Sequence, residues 1–235
     1  MTAPVALVTG ASSGIGDATA RRLAPLGYTV YAAARRVARM DALKELGIHT
    51  APLDVTDDAS MVALVEKIIA ETGRIDVLVN NAGYGSYGAL EDVPIAEARR
   101  QFDVNIFGMA RLTQLVLPHM QAQHDGYIVN ISSIGGKMWE PLGSWYHATK
   151  FAVEGLSDSL RAAVSPFGIK VVVIEPGAIR TEWGAISADN LEASSAGTVY
   201  RDQAKIVSGA LRAADKSRVA SGPEVVARLT YSVIS

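Results

Sequence analysis

Val5-Ala6-Leu7-Val8-Thr9-Gly10-Ala11-Ser12-Ser13-Gly14-Ile15-Gly16 is the stretch whose reading decides the fold. Val5 to Thr9 is a short apolar, β-branched run, the pattern of a buried parallel strand. It stops at Gly10. A helical pattern through Ala18, Leu23 and Leu26 follows, closed by Pro25 and Gly27. Strand, glycine turn and helix start together make a cradle for phosphate. Glycines let backbone N–H groups approach a pyrophosphate, and the helix N-terminus adds partial positive charge. Gly10, Ser12, Ser13, Gly14, Ile15 and Gly16 are therefore candidate cofactor-binding residues. Their spacing differs from Gly-x-Gly-x-x-Gly, so the common dinucleotide fingerprint does not apply as it stands.

Working outward, strands and helices alternate. Tyr28 to Ala34, Ile48 to Leu53, Arg74 to Val79, Gly126 to Ser132 and Ile169 to Ile174 read as strands. Val37 to Leu46, Asp57 to Thr72, Ile95 to Gln123 and Ser144 to Val164 read as helices, and Pro223 opens another. This order demands right-handed crossovers. It predicts one α/β domain in three layers, a Rossmann-type doubly wound parallel sheet over residues 1–235. From Thr181 to about Ser221 the periodicity weakens, so residues 182–221 are expected to form a substrate lid.

Polar or glycine clusters close the predicted strands, at the sheet edge where open α/β folds bind ligands. Arg35-Arg36 follows the uncharged Ala34. Arginine suits a 2′-phosphate, whereas a carboxylate suits a ribose hydroxyl, so NADP(H) is expected over NAD(H).

Composition narrows the function classes. Of 235 residues, 49% are hydrophobic and 20% charged, which supports a buried core rather than disorder. The net charge of −2 gives no basic excess for nucleic acid or an anionic membrane surface. There are no cysteines, which excludes disulfides, thiolate catalysis and cysteine metal sites. No His/Asp/Glu grouping has metal-ligand spacing, so no metal is expected. No signal-peptide pattern or membrane-length apolar run is read, and a cytoplasmic protein is expected.

The chemistry points to Tyr146-His147-Ala148-Thr149-Lys150. Tyrosine and lysine four apart share one helix face. An ammonium there favours the phenolate and would lower the tyrosine pKa toward neutrality, where the phenol can give or take a proton. Asn105, inside the Ile95–Gln123 stretch, is a poor helix former that needs a partner or a kink. The four histidines, His147 included, carry no catalytic pattern.

Together these motifs resemble the short-chain dehydrogenase/reductase family over residues 5 to about 181. Thr9-Gly10-x-x-x-Gly14-x-Gly16 is similar to the family's cofactor turn. Asp54, with Val55 beside it, matches the residue that holds the adenine. Asn80-Asn81-Ala82-Gly83 matches the motif supporting the sheet beside the cofactor. Asn105, Ser133, Tyr146 and Lys150 match the catalytic tetrad. Pro176, Gly177, Ile179 and Thr181 fall in the segment that receives the nicotinamide carboxamide. Tyr146 and Lys150 count among the cofactor contacts too, the lysine holding the nicotinamide ribose.

The resemblance implies hydride transfer between NADP(H) and a small-molecule ketone, aldehyde or secondary alcohol. Asn105 is expected to fix a water that relays protons from Lys150. The branch around 17β-hydroxysteroid and carbonyl reductases is loosely similar. A homodimer or homotetramer through the 95–123 and 144–164 helices is implied.

Two departures stand out. Ser13 replaces a second basic residue found in some NADP-dependent members. The usual last strand does not follow the final helix, so a missing C-terminal edge strand, and an incomplete chain, are expected. Two other readings compete. Gly10-Ala11-Ser12-Ser13-Gly14 also spells the Gly-x-Ser-x-Gly elbow of a serine hydrolase, with Ser12 as nucleophile. A catalytically silent NADPH-binding sensor would keep the cofactor turn alone.

Overall fold

Val5–Thr9 forms β1, and every residue of it is buried, as a strand covered on both faces requires. β2 is Thr29–Ala34, β3 His49–Pro52, β4 Val77–Asn80, β5 Gly126–Ile131 and β6 Ile169–Ile174. The structure is a computed structural model that describes residues 3–214 and 216–235. All pairs are parallel, in the order β3-β2-β1-β4-β5-β6. Val8 pairs with Ala32 on one side and Val79 on the other. The order reverses between β1 and β4, which is where such sheets open a ligand crevice.

Alternation along β1 sends side chains to two cores. Val5 and Leu7 pack with Met61, Leu64 and Ile68 of α3 (Asp58–Thr72) and with Leu112 and Val116 of α5 (Met109–Gln123). Ala6 and Val8 face the opposite layer. Its helices are α1 (Gly14–Leu23), the single turn α2 (Asp41–Lys44) and α9 (Pro223–Ile234). Each fully buried leucine contributes about 1.5–3 kcal/mol. α3 starts where Asp57 accepts a hydrogen bond from the Ala59 N–H at 3.1 Å. α6 (Ser144–Val164) completes the α3/α5 side.

Three expectations are corrected. Residues 37–46 form a 3₁₀ turn, Val37–Met40, followed by the short α2 rather than one helix. The long 95–123 helix divides into α4 (Ile95–Phe102), a π-helical turn Asp103–Gly108 and α5. Asn105 sits in that turn, so partner and kink occur together. The supposedly aperiodic 182–221 segment contains α7 (Trp183–Ser195) and α8 (Arg201–Ala214). At the sheet edge stands β6, and among the described residues no seventh strand follows α9.

Candidate active site

The glycine turn is built from positions that no other residue fits easily. Gly10 and Gly14 have φ of +66° and +58°, the left-handed region. A Cβ on Gly16 would stand 2.5 Å from the Gly10 carbonyl oxygen. Gly16 thus packs the start of α1 onto the turn, set back from the residues that line the crevice. The Thr9 hydroxyl accepts from the Asn81 and Ala82 N–H groups, both at 3.0 Å, and donates to the Val79 carbonyl at 3.2 Å. The Asn81 amide donates to the Thr9 carbonyl at 2.9 Å. β1 and β4 are laced together by this web at the point where the sheet order reverses.

A crevice of about 980 Å³ opens there. Gly10, Ser12, Ser13, Gly14 and Ile15 line one wall. Arg35, Arg36, Asp54 and Val55 line one end, and Asn81, Ala82 and Gly83 lie across the middle. Pro176, Gly177, Ile179 and Thr181 border the side beneath α7. Arg36 donates to the Ser12 hydroxyl at 3.4 Å. The Asp54 carboxylate accepts from the Thr56 N–H and hydroxyl at 3.0 and 2.7 Å, which holds its pKa below the usual carboxylate range. Arg39 clasps Glu182 with two hydrogen bonds, 3.0 and 2.6 Å, linking the segment after β2 to the start of α7.

Ser133, Tyr146 and Lys150 line the same crevice. Ser133 follows β5 and accepts from the Gly135 N–H at 3.0 Å, and its hydroxyl is near enough to the Tyr146 phenol to favour the phenolate. Lys150 donates to the Ile131 carbonyl at 3.0 Å, and its ammonium stands 5.9 Å from the Tyr146 ring centre. The electrostatics differ from the sequence expectation. Burial pushes the Tyr146 pKa up to about 12, with the Ser133 hydroxyl opposing and Glu140 adding to the rise. Burial also brings Lys150 down to about 8, although part of its side chain still faces the crevice. The ammonium is aimed at a carbonyl, so desolvation outweighs its pull on the phenol.

Asn105 does not line the crevice. Its amide donates to the Tyr84 carbonyl at 2.9 Å and to the Thr149 hydroxyl at 3.1 Å, and its oxygen accepts from the Tyr84 N–H at 3.1 Å. Both amide hydrogens are committed, so the side chain holds the loop after β4 against α6 rather than donating to a relay water. The hydrolase reading is not supported. Ser12 meets Arg36, and among the described residues His147 is the one histidine lining the crevice. Its ring nitrogens are engaged by the Glu140 N–H and the Gly135 carbonyl.

Three wall residues, Tyr84, Tyr87 and His147, carried no sequence signal. Tyr84 donates to Glu97 at 2.9 Å, Tyr87 donates to Glu140 at 2.6 Å, and His147 anchors the loop before α6. The Trp183 ring lies 5.0 Å from that of Tyr146. It comes this close because Gly85 has no Cβ, which would stand 2.5 Å from the indole. Two serines tie α7 to the loop after β4: Ser187 and Ser194 donate to the Gly85 and Tyr87 carbonyls, each at 3.3 Å.

The family model for short chain dehydrogenase matches residues 4–191, most of the chain. The protein belongs to the short-chain dehydrogenase/reductase family. It is 44% identical over 178 residues to a 3-ketodihydrosphingosine reductase of Bacteroides thetaiotaomicron, covering 75% of this chain and 64% of that relative. An NADPH-dependent 3-dehydrocapnine reductase of Ornithobacterium rhinotracheale is 38% identical over 207 residues, 84% of this chain and 71% of the relative. Two similar solved structures differ in their nucleotide. A closed serine dehydrogenase complexed with NADP+ superposes with TM-score 0.83 at 31% identity, covering 97% of this chain and 88% of that one. A Burkholderia phymatum enzyme in complex with NAD gives 0.86 at 28% identity, covering 99% and 85%. For a dinucleotide, the residues present fit. The turn's glycines leave the backbone bare where phosphates approach, and Arg35 and Arg36 stand at the end of β2.

Proposed function

We propose that the protein is an NADP(H)-dependent oxidoreductase that reduces a ketone or aldehyde to the alcohol. The observation that carries this is the convergence of Ser133, Tyr146 and Lys150 on one wall of the crevice that the glycine turn opens. Gly10, Ser12, Ser13 and Gly14 would hold the pyrophosphate, Asp54 and Val55 the adenine end, and Arg35 and Arg36 a 2′-phosphate. Bound reduced nicotinamide would supply the hydride. Negative charge then develops on the substrate oxygen, where Tyr146 donates its phenolic proton and Ser133 donates a hydrogen bond. With its pKa raised to about 12, Tyr146 is protonated at neutral pH and ready to act as the acid. Lys150, still mostly charged at neutral pH, offsets the phenolate as it forms. The two relatives named as reductases support the reducing direction.

The test is NADPH and NADH consumption against a panel of ketones and aldehydes. Turnover with a preference for NADPH is expected. Binding of NADPH without turnover of any carbonyl would favour the silent sensor. Equal use of NADH would remove the assignment of Arg35 and Arg36 to a 2′-phosphate.

A further inference from the structure

Glu140 lines the crevice close enough to Tyr146 to act on its charge, and among the described residues it forms no ion pair. It lies on the loop between the Ile134–Gly136 turn and α6, lines the crevice, and is half-buried. Its backbone N–H donates to His147 Nε2 at 3.1 Å, while His147 Nδ1 stands 2.9 Å from the Gly135 carbonyl. That pattern assigns the neutral Nδ1–H tautomer and pins the loop beside Tyr146. The fully buried Tyr87 donates its phenol to Glu140 Oε1 at 2.6 Å. Among the described residues Tyr87 is the one donor to this carboxylate, and no lysine or arginine pairs with it.

Other charges on the crevice wall are accounted for differently. Glu182 is held by Arg39, and Glu97 by Tyr84 and Arg100. Asp54 is bonded to Thr56, and Arg35 and Arg36 stand at the opposite end. Lys150 donates to Ile131. Apolar side chains also line this crevice, among them Met138, Trp183, Ile186 and Leu211. An unpaired carboxylate beside the reacting phenol works against proton donation, because it opposes the phenolate that donation creates. A cation brought by the substrate would cancel that opposition at the moment of reaction.

We propose that Glu140, positioned by Tyr87 and His147, binds a protonated amine of the substrate, so that the substrate class is an amino ketone carried on an apolar chain. This rests on the carbonyl-reducing reading above and adds to it what the site selects. The apolar walls take the chain, the carboxylate takes the ammonium, and Tyr146 and Ser133 take the carbonyl oxygen between them.

The test compares octan-2-one with 1-aminooctan-2-one, and with homologues carrying the amine one carbon further on, in NADPH consumption. Wild-type kcat/KM is expected to favour the best-placed amine by roughly 10- to 100-fold. Glu140→Gln is expected to collapse that ratio to near one. Independently of any variant, octylamine should inhibit competitively against the ketone at least about tenfold better than octan-1-ol. If neutral and amino ketones are reduced equally well and octylamine inhibits no better than the alcohol, the inference is overturned while the reductase reading stands. If no carbonyl compound is reduced at all, it is the reductase reading that fails.

Discussion

At Tyr146, residue chemistry was legible in the sequence but its ionisation was not. The phenol, Ser133 and Lys150 announce themselves by type and spacing. Their proton affinities depend on how much water each has lost, and spacing carries no such information. Burial raises Tyr146 to about 12 and lowers Lys150 to about 8, moving the two apart in opposite senses from their ordinary values. The sign for catalysis follows. Reduction needs Tyr146 protonated, which it is across the neutral range, and benefits from Lys150 charged, which is lost as pH rises through about 8. The value of kcat/KM for NADPH should therefore stay level below pH 8 and decline above it. Alcohol oxidation needs the phenolate, so its rate should climb with pH through the alkaline range instead. The sign for stability is separate. A lysine whose folded pKa lies below its unfolded value weakens the fold while it is charged, so this cost lessens between pH 8 and 10.5. Arg35→Ala should cost about 10- to 100-fold in kcat/KM for NADPH and little for NADH, measured by steady-state kinetics with each nucleotide. His147 is a further case in which the residue alone misleads. Nothing in its neighbours in sequence shows that both ring nitrogens are engaged, because Gly135 and Glu140 reach it only through the fold.

Among the elements, strands and the glycine turn were readable because their apolar runs and φ requirements are local. α7 was not. Its buried positions are Gly184, Ser187, Ala188, Leu191 and Ser195, a helical period written in small residues that hydropathy does not register. α8 repeats the case with Ala204, Ser208 and Leu211. The π turn at 103–108 was legible only as a problem. Asn105 signalled a break, but not the close crossing at its end: a Cβ on Gly108 would stand 2.3 Å from the Val55 carbonyl oxygen. Glycine at 16 faces the same constraint, so Gly16→Ala tests the turn as a unit. Overpacking costs about 1–3 kcal/mol, which in a domain of this size lowers Tm by roughly 2–12 °C. Calorimetry should show that fall, and NADPH binding should weaken with it, because the carbonyl that must move belongs to Gly10. A variant with unchanged Tm and unchanged binding would mean that the turn yields freely.

For the whole molecule, the reversal of sheet order between β1 and β4 places the glycine turn, the Arg35–Arg36 end and the Tyr146 wall around one crevice. No helix among the described residues is long and apolar enough to cross a membrane. Phe107 is 60% exposed and Phe151 49%, on the segments that pack over the α3/α5 face. We infer that a second copy of the chain covers them. Light scattering after gel filtration should give a dimer or tetramer, with Phe151→Glu shifting it toward monomer; a monomeric wild type would contradict the inference. The central claim remains that the Tyr146 phenol delivers a proton beside a nucleotide held by the turn. The most direct measurement is Tyr146→Phe assayed in parallel for NADPH binding, by nucleotide fluorescence, and for carbonyl turnover. Binding should match wild type while kcat falls by about 10²–10⁴-fold; turnover at the wild-type rate would contradict the account.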